Sequence, residues 1–209
     1  MPNTKFIVIY DTYCGWCYGA HPVLDALVNS GAEVETYHRY LFQGYNAHRM
    51  ADGFGVQAAR MDARIGQMSG QEFSEAYMTN ILGSKTEVLE SGLTAQAAAL
   101  AHGKGPKVEL AVAARLQKLR YVDGVSATDR DAIVAALIAE GFSEADAARI
   151  GTKELAAEAA ALAETAADYL AQVHAGGVPT ILKLTEEGAQ VISPTDFMSN
   201  PAAIVKLAA

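Results

Sequence analysis

Phe6-Ile7-Val8-Ile9-Tyr10 is an unbroken β-favouring apolar run, the pattern of a strand covered on both faces, and it predicts the first strand of an α/β sheet. Further on, Val23, Leu24, Leu27 and Val28 recur at helical spacing until Asn29-Ser30-Gly31, which predicts a helix that stops there, with a kink at Pro22. Glu33 to Leu41 then alternates polar with β-branched or aromatic residues, as a second strand does. Strand, helix and strand within about 35 residues make a βαβ unit with parallel strands.

From Gly44 to Gly151 the pattern turns helical. Ala58, Met61, Ile65 and Met68 form one stripe, Ser69-Gly70-Gln71 interrupts it, Phe73, Tyr77 and Ile81 resume it, and Thr94 is placed to cap an alanine-rich helix ending at His102-Gly103. Pro106 stands where a helix starts, with Val108, Val112, Leu116, Leu119 and Val122 as its buried face. Thr128-Asp129-Arg130-Asp131 resembles a capping box ahead of Ile133, Leu137 and Ile138, and a short helix is expected from Ser143 to Ile150. Thr152 opens a long helix along Leu155, Ala159, Leu162, Ala166, Leu170 and Val173. After Gly176-Gly177 come a strand at Ile181–Leu184, a hairpin partner at Gln190–Ser193 and a terminal helix from Asn200-Pro201. The expected organisation is a discontinuous α/β domain, residues 1–43 and 152–209, holding an all-helical insertion at 44–151.

A chain of 209 residues can bury a core without covalent help. The net charge of −8 speaks against nucleic acid and anionic membranes as partners. No signal-peptide pattern and no membrane-length apolar run are visible, so a cytoplasmic location is expected. In a reducing compartment the two cysteines, Cys14 and Cys17, point to redox or metal chemistry rather than to a staple.

Both thiols sit at the expected start of the first helix, where unpaired N–H groups and the dipole favour a thiolate at Cys14. Cys17, one turn further in, is expected to be less exposed and to resolve a mixed disulfide formed at Cys14. Structural or metal-binding thiols are the competing reading. Gly15 and Trp16 lie between the thiols and help set the balance of thiolate and disulfide; Trp16 is equally a packing or partner-contacting aromatic. Tyr13 and Tyr18 flank the ring. His21 either approaches the thiols or is a half-buried helix residue. The other histidines are scattered with no ligand spacing, so no metal site is expected. Pro179, heading a strand after Gly-Gly, would turn the Val178 backbone toward a neighbouring site if its peptide bond is cis.

Asp11, Cys14-Gly15-Trp16-Cys17, Pro22 and Gly177-Val178-Pro179-Thr180 together resemble the DsbA family of the thioredoxin superfamily. Ser69–Phe73, Leu116–Tyr121 and Gly124-Val125-Ser126 are similar to its branch of predicted protein-disulfide isomerases, close to the FrnE-like proteins. The resemblance implies a thioredoxin-like fold split by a helical insertion, Cys14 as nucleophile, Cys17 as resolving thiol, Pro179 as the cis-proline, and Trp16 and Val178 against the substrate. Gly15 departs from the Pro or Ser of many relatives, and Val8 stands where thioredoxins carry a buried acid. The expected function is thiol–disulfide exchange with protein or small thiol partners, without a cofactor beyond glutathione as a redox partner. Two alternatives stand beside it: a glutathione-linked enzyme of the kappa transferase or 2-hydroxychromene-2-carboxylate isomerase kind, and a redox-inert binding or holdase module. Oligomeric state is left open, a homodimer among the options.

Overall fold

The computed structural model describes residues 4–208, so the ends of the expected spans, residues 1–3 and 209, lie outside it. Strand β1 (Lys5–Tyr10) occupies the middle of a four-stranded sheet. It pairs in parallel with β2 (Glu33–His38), as the βαβ reading requires, and the helix α1 (Gly15–Asn29) connects them. Phe6, Val8 and Tyr10 pack on Val23, Leu24 and Leu27 of α1, whereas Ile7 and Ile9 face the opposite side. The apolar run is continuous because both faces of this strand are covered.

Beyond β2 the expected strand to Leu41 stops early. The Tyr40 N–H donates to His38 Nδ1 at 3.1 Å, the Leu41 N–H to Asp11 Oδ2 at 2.8 Å, and Tyr40 adopts a positive φ of 51°. Side-chain acceptors thus take the donors a strand would have paired, and the chain leaves the sheet.

The next stretch contains one element the sequence did not announce, a two-stranded ribbon of β3 (His48–Arg49) and β4 (Val88–Leu89). Between them run α2 (Phe54–Ser69) and α3 (Glu75–Tyr77), the latter continued by a π turn at Met78–Leu82. The interruption expected at Ser69-Gly70-Gln71 is present, Gly70 ending α2 with φ 74°, and the stripe resumes in α3, which starts after Phe73. Helix α4 (Gly92–His102) starts earlier than a Thr94 cap would place it. Thr94 lies inside, its hydroxyl donating back to the Ser91 carbonyl at 3.0 Å. Helix α5 (Pro106–Tyr121) begins at its proline as expected. Helix α6 (Arg130–Ala139) is capped by Asp129, not Thr128: its Oδ1 accepts from the Ala132 N–H at 3.0 Å. Helix α7 (Glu144–Ala147) is a single turn capped by Ser143.

Thr152 caps α8 (Lys153–Gln172), whose Ala166 and Leu170 cover Ile7 and Ile9 of β1. The hairpin β5 (Thr180–Thr185) and β6 (Gly188–Ile192) completes the sheet in the order β2-β1-β5-β6, with β5 antiparallel to β1. The terminal segment Pro201–Leu207 is 3-10 rather than α-helix. The helical segment packs around an apolar core reaching from Met50 through Leu116 and Leu137 to Leu155, to which Tyr13 and Tyr18 also belong.

Close packing within that core gives a first expected result. Gly55, at the start of α2, lies so near the Leu82 backbone that an added Cβ would overlap the Leu82 carbonyl oxygen. Because backbone cannot swing aside as a flexible side chain can, Gly55→Ala is expected to cost about 1–3 kcal/mol, read as a lowered urea midpoint with an unchanged slope.

Candidate active site

The cysteines stand at the C-terminal end of β1, where the chain turns into α1. Cys14 is the N-cap of that helix, with φ −78° and ψ 120°, and its side chain makes no capping hydrogen bond to the first turn. Both thiols are free. Cys14 is 7% exposed and Cys17 fully buried, the order expected. The Cys17 sulfur accepts from the Asp11 N–H at 3.4 Å. Burial first, then the adjacent Cys14, push the Cys17 thiol well above the usual thiol range, so it stays protonated.

The turn is held by side chains from distant parts of the sequence. Asp11, wholly buried, accepts from the Tyr13 N–H at 2.9 Å, the Leu41 N–H at 2.8 Å and the Ser91 hydroxyl at 2.8 Å. The Thr12 N–H faces His38 Nε2 at 3.0 Å while the Tyr40 N–H faces Nδ1. A neutral ring accepts at one nitrogen only and a protonated ring at neither, and burial holds the His38 pKa below its usual value. The Tyr121 hydroxyl donates to the Tyr13 carbonyl at 2.7 Å. Pro22 lacks the N–H that would reach the Tyr18 carbonyl; that carbonyl accepts instead from Gln71 Nε2 at 3.0 Å, and α1 runs through.

Opposite the thiols lies the loop before β5. The Val178–Pro179 peptide bond is cis, and the Cys14 thiol donates to the Val178 carbonyl at 3.8 Å. Val178 and Pro179 are half-buried. On the other side of Cys14 opens a cavity of about 210 Å³, walled by Tyr13, Gly15, Trp16, Phe42, Met50, Phe54, Asp62 and Arg120 among others. The structure thus brings together Tyr13, Cys14, Gly15, Trp16, Cys17, Val178 and Pro179. It does not bring His21, which lies with Gln71, Glu72 and Gln117 beside Tyr18, outside the cavity's wall, its pKa lowered by burial.

Two charged groups in the wall are additions to the sequence reading. Arg120, 1% exposed, donates from Nη1 to Glu87 Oε1 at 2.9 Å, and its guanidinium lies 5.0 Å over the Tyr13 ring and 6.0 Å over the Tyr77 ring. Glu87 also accepts from the Ala127 N–H at 2.9 Å and the Ser126 hydroxyl at 2.6 Å. Asp62, 4% exposed, accepts from the Tyr77 hydroxyl at 2.9 Å through Oδ2. Its Oδ1 lies 2.7 Å from where a Cβ on Gly15 would be, which explains the glycine between the thiols: a larger residue displaces the carboxyl. Both charges fall at helical spacing from apolar neighbours, Asp62 between Ala58 and Ile65 and Arg120 after Ala113 and Leu116. A charge in register with a buried stripe was the available signal.

A C-x-x-C at the mouth of a helix, packed against a proline loop on a mixed sheet, defines a thiol–disulfide centre of the thioredoxin type. The chain belongs to the family of the DSBA-like thioredoxin domain, whose model matches residues 6–199, and it is accordingly a DsbA-like thiol–disulfide oxidoreductase with the expected α/β fold and helical insertion. Among solved structures it is similar to the cytosolic disulfide reductase DsbM from Pseudomonas aeruginosa, with 24% identity and a TM-score of 0.83 over 97% of this chain and 96% of that one. It is also similar to DsbM from Pseudomonas aeruginosa with GSH, at 25% identity, a TM-score of 0.79 and the same coverage of 97% and 96%. No curated protein sequence matches. Among the described residues no group of three or more His, Cys, Asp or Glu could hold a metal ion, and no helix is long and apolar enough to cross a membrane.

Proposed function

We propose that this chain is a glutathione-linked disulfide reductase of the cytosol. The observation that carries the reading is the asymmetry of the two thiols: Cys14 caps α1 beside the Val178 carbonyl, and Cys17 is sealed behind it. The Cys14 thiolate attacks one sulfur of a substrate disulfide, forming a mixed disulfide and releasing the other substrate sulfur as a thiolate, which takes up a proton. Cys17 then loses its proton and attacks the Cys14 sulfur, closing the Cys14–Cys17 disulfide and releasing the second substrate thiol. Two molecules of glutathione restore the dithiol and leave as glutathione disulfide, so no other cofactor is needed. The backbone of Val178 and the Trp16 ring grip the substrate on either side of Cys14, with Pro179 fixing the loop; Gly15 and Tyr13 shape the approach. Residues 44–151 act as an insertion that walls the site, within a domain formed by 1–43 and 152–209. The similarity to a cytosolic reductase, and to its form with GSH, supports the direction and the partner.

The test is a redox titration of Cys14 and Cys17 against glutathione buffers, read by thiol alkylation. A potential within reach of the glutathione couple, about −200 to −270 mV, is expected; one near the roughly −120 mV of a strong oxidant would make the protein an oxidase instead. Two thiols that never form a reversible disulfide would sink the reading altogether.

A further inference from the structure

Val8, on the first strand where thioredoxins carry a buried acid, is fully buried and apolar, and a carboxyl enters the wall of the cavity beside Cys14 from another element. Asp62 comes from α2 and sits against Gly15, the first residue of α1 and the one after Cys14. Asp62 and Cys14 wall the same cavity. We propose that the Asp62 carboxylate competes with the Cys14 thiolate for the positive N-terminal end of α1, and so holds the Cys14–Cys17 couple toward the disulfide, the setting of a reductant. The proposal rests on the redox reading above and assigns Asp62 as a positioning residue acting through the field at Cys14.

The electrostatics follow from the groups around Asp62. The first turn of α1 offers unpaired N–H groups and the dipole to whatever anion lies there. Two anions at one such end repel each other, the more strongly because both side chains are largely buried. The titratable and charged groups that face Asp62 are Cys14 before α1, Tyr77 from α3, Tyr121 and Arg120 from α5, with Tyr13 and Glu87 behind Arg120. Arg120 is the one cation of this set. Its charge is paired at 2.9 Å with Glu87, so it offsets Asp62 only in part. Burial, only partly offset by the Tyr77 hydrogen bond and by Arg120, pushes the Asp62 carboxyl up to about 6. At neutral pH it is ionised and acts on Cys14, and below pH 6 the influence fades. Destabilising the thiolate favours the disulfide in the exchange of dithiol and glutathione disulfide with protein disulfide and two glutathiones, just as stabilising the reduced form makes an oxidant.

The decisive comparison is the wild-type chain against Asp62→Asn, which keeps the shape and an oxygen for Tyr77 but removes the charge. Both are equilibrated with glutathione buffers from pH 5 to pH 8. The expected result is an equilibrium about tenfold less in favour of the disulfide for Asp62→Asn at pH 7, or ~30 mV for this two-electron couple, shrinking to nothing at pH 5. A purely structural role would separate the two chains by the same amount at every pH. Should Asp62→Asn fold poorly, wild type carries its own readout: the alkylation rate of Cys14 against pH rises in two steps, one inflection near pH 6 besides that of the thiol itself. A single-step profile, or an Asp62→Asn equilibrium that matches wild type at pH 7, overturns the role of Asp62 and leaves the reductase reading intact. A wild-type pair that does not titrate at all overturns both.

Discussion

Cys14→Ser is expected to abolish disulfide reduction, turnover falling to the uncatalysed rate, whereas Cys17→Ser is expected to halt after the first step and accumulate a mixed disulfide with the substrate. The difference follows from position. In the proposed mechanism Cys14 supplies the attacking sulfur, and a serine hydroxyl at the same N-cap is far too weak an acid to provide an equivalent nucleophile. Cys17, wholly buried, enters in that mechanism only once Cys14 carries the substrate. Glutathione-coupled reduction of a model disulfide gives the rates, and intact-protein mass spectrometry gives the trapped adduct. Measurable turnover by Cys14→Ser would remove this residue from the mechanism; equal behaviour of the two variants would remove the division of labour.

A second large effect is expected far from any thiol. Glu87→Ala should destabilise the fold by about 3–5 kcal/mol, because it leaves the Arg120 charge buried without its partner. In a chain of this size that is a fall in Tm on the order of 10 °C. Three hydrogen bonds disappear with the carboxylate, those from Arg120, Ala127 and Ser126, and Arg120 Nε is already without a partner. A double replacement of the pair, Glu87→Leu with Arg120→Met, is expected to recover much of the loss, since apolar residues of similar volume do not leave a charge behind. Thermal unfolding of the three chains decides the matter; a Glu87→Ala chain as stable as wild type would mean that water reaches Arg120.

How much of this could be read beforehand depended on the range of the interaction. The first strand, the helix after it and the parallel return were legible because each is a local pattern with one period, and so was the pair Cys14–Cys17. The end of β2 was not: nothing near Tyr40 says that His38 will take up its own N–H and Asp11 that of Leu41. The caps at Thr94 and Thr128 failed for a related reason. A hydroxyl one residue from an acid, or three from another hydroxyl, leaves the choice to the tertiary contacts, which took Ser91 to Asp11 and left Asp129 to cap α6. The site was half legible. Thiols and proline loop announced themselves as motifs, but Asp62, Arg120 and Glu87 acquire meaning only when three separate segments meet. Their warning was a charge on the apolar face of a helix, which pattern reading discounts as an exception.

The hydrogen bond from Gln71 to the Tyr18 carbonyl closes a gap that Pro22 opens in α1. Together with the Ser91 bond to Asp11 and the Tyr121 bond to Tyr13, it means that the thiol-bearing turn is moored on three sides to the helical segment. The helical segment is therefore not a cassette to be exchanged between relatives to graft a new specificity. A chimera that swaps residues 44–151 must bring its own equivalents of Gln71, Ser91 and Tyr121, or the transplanted wall will stand beside a turn that has lost its anchors.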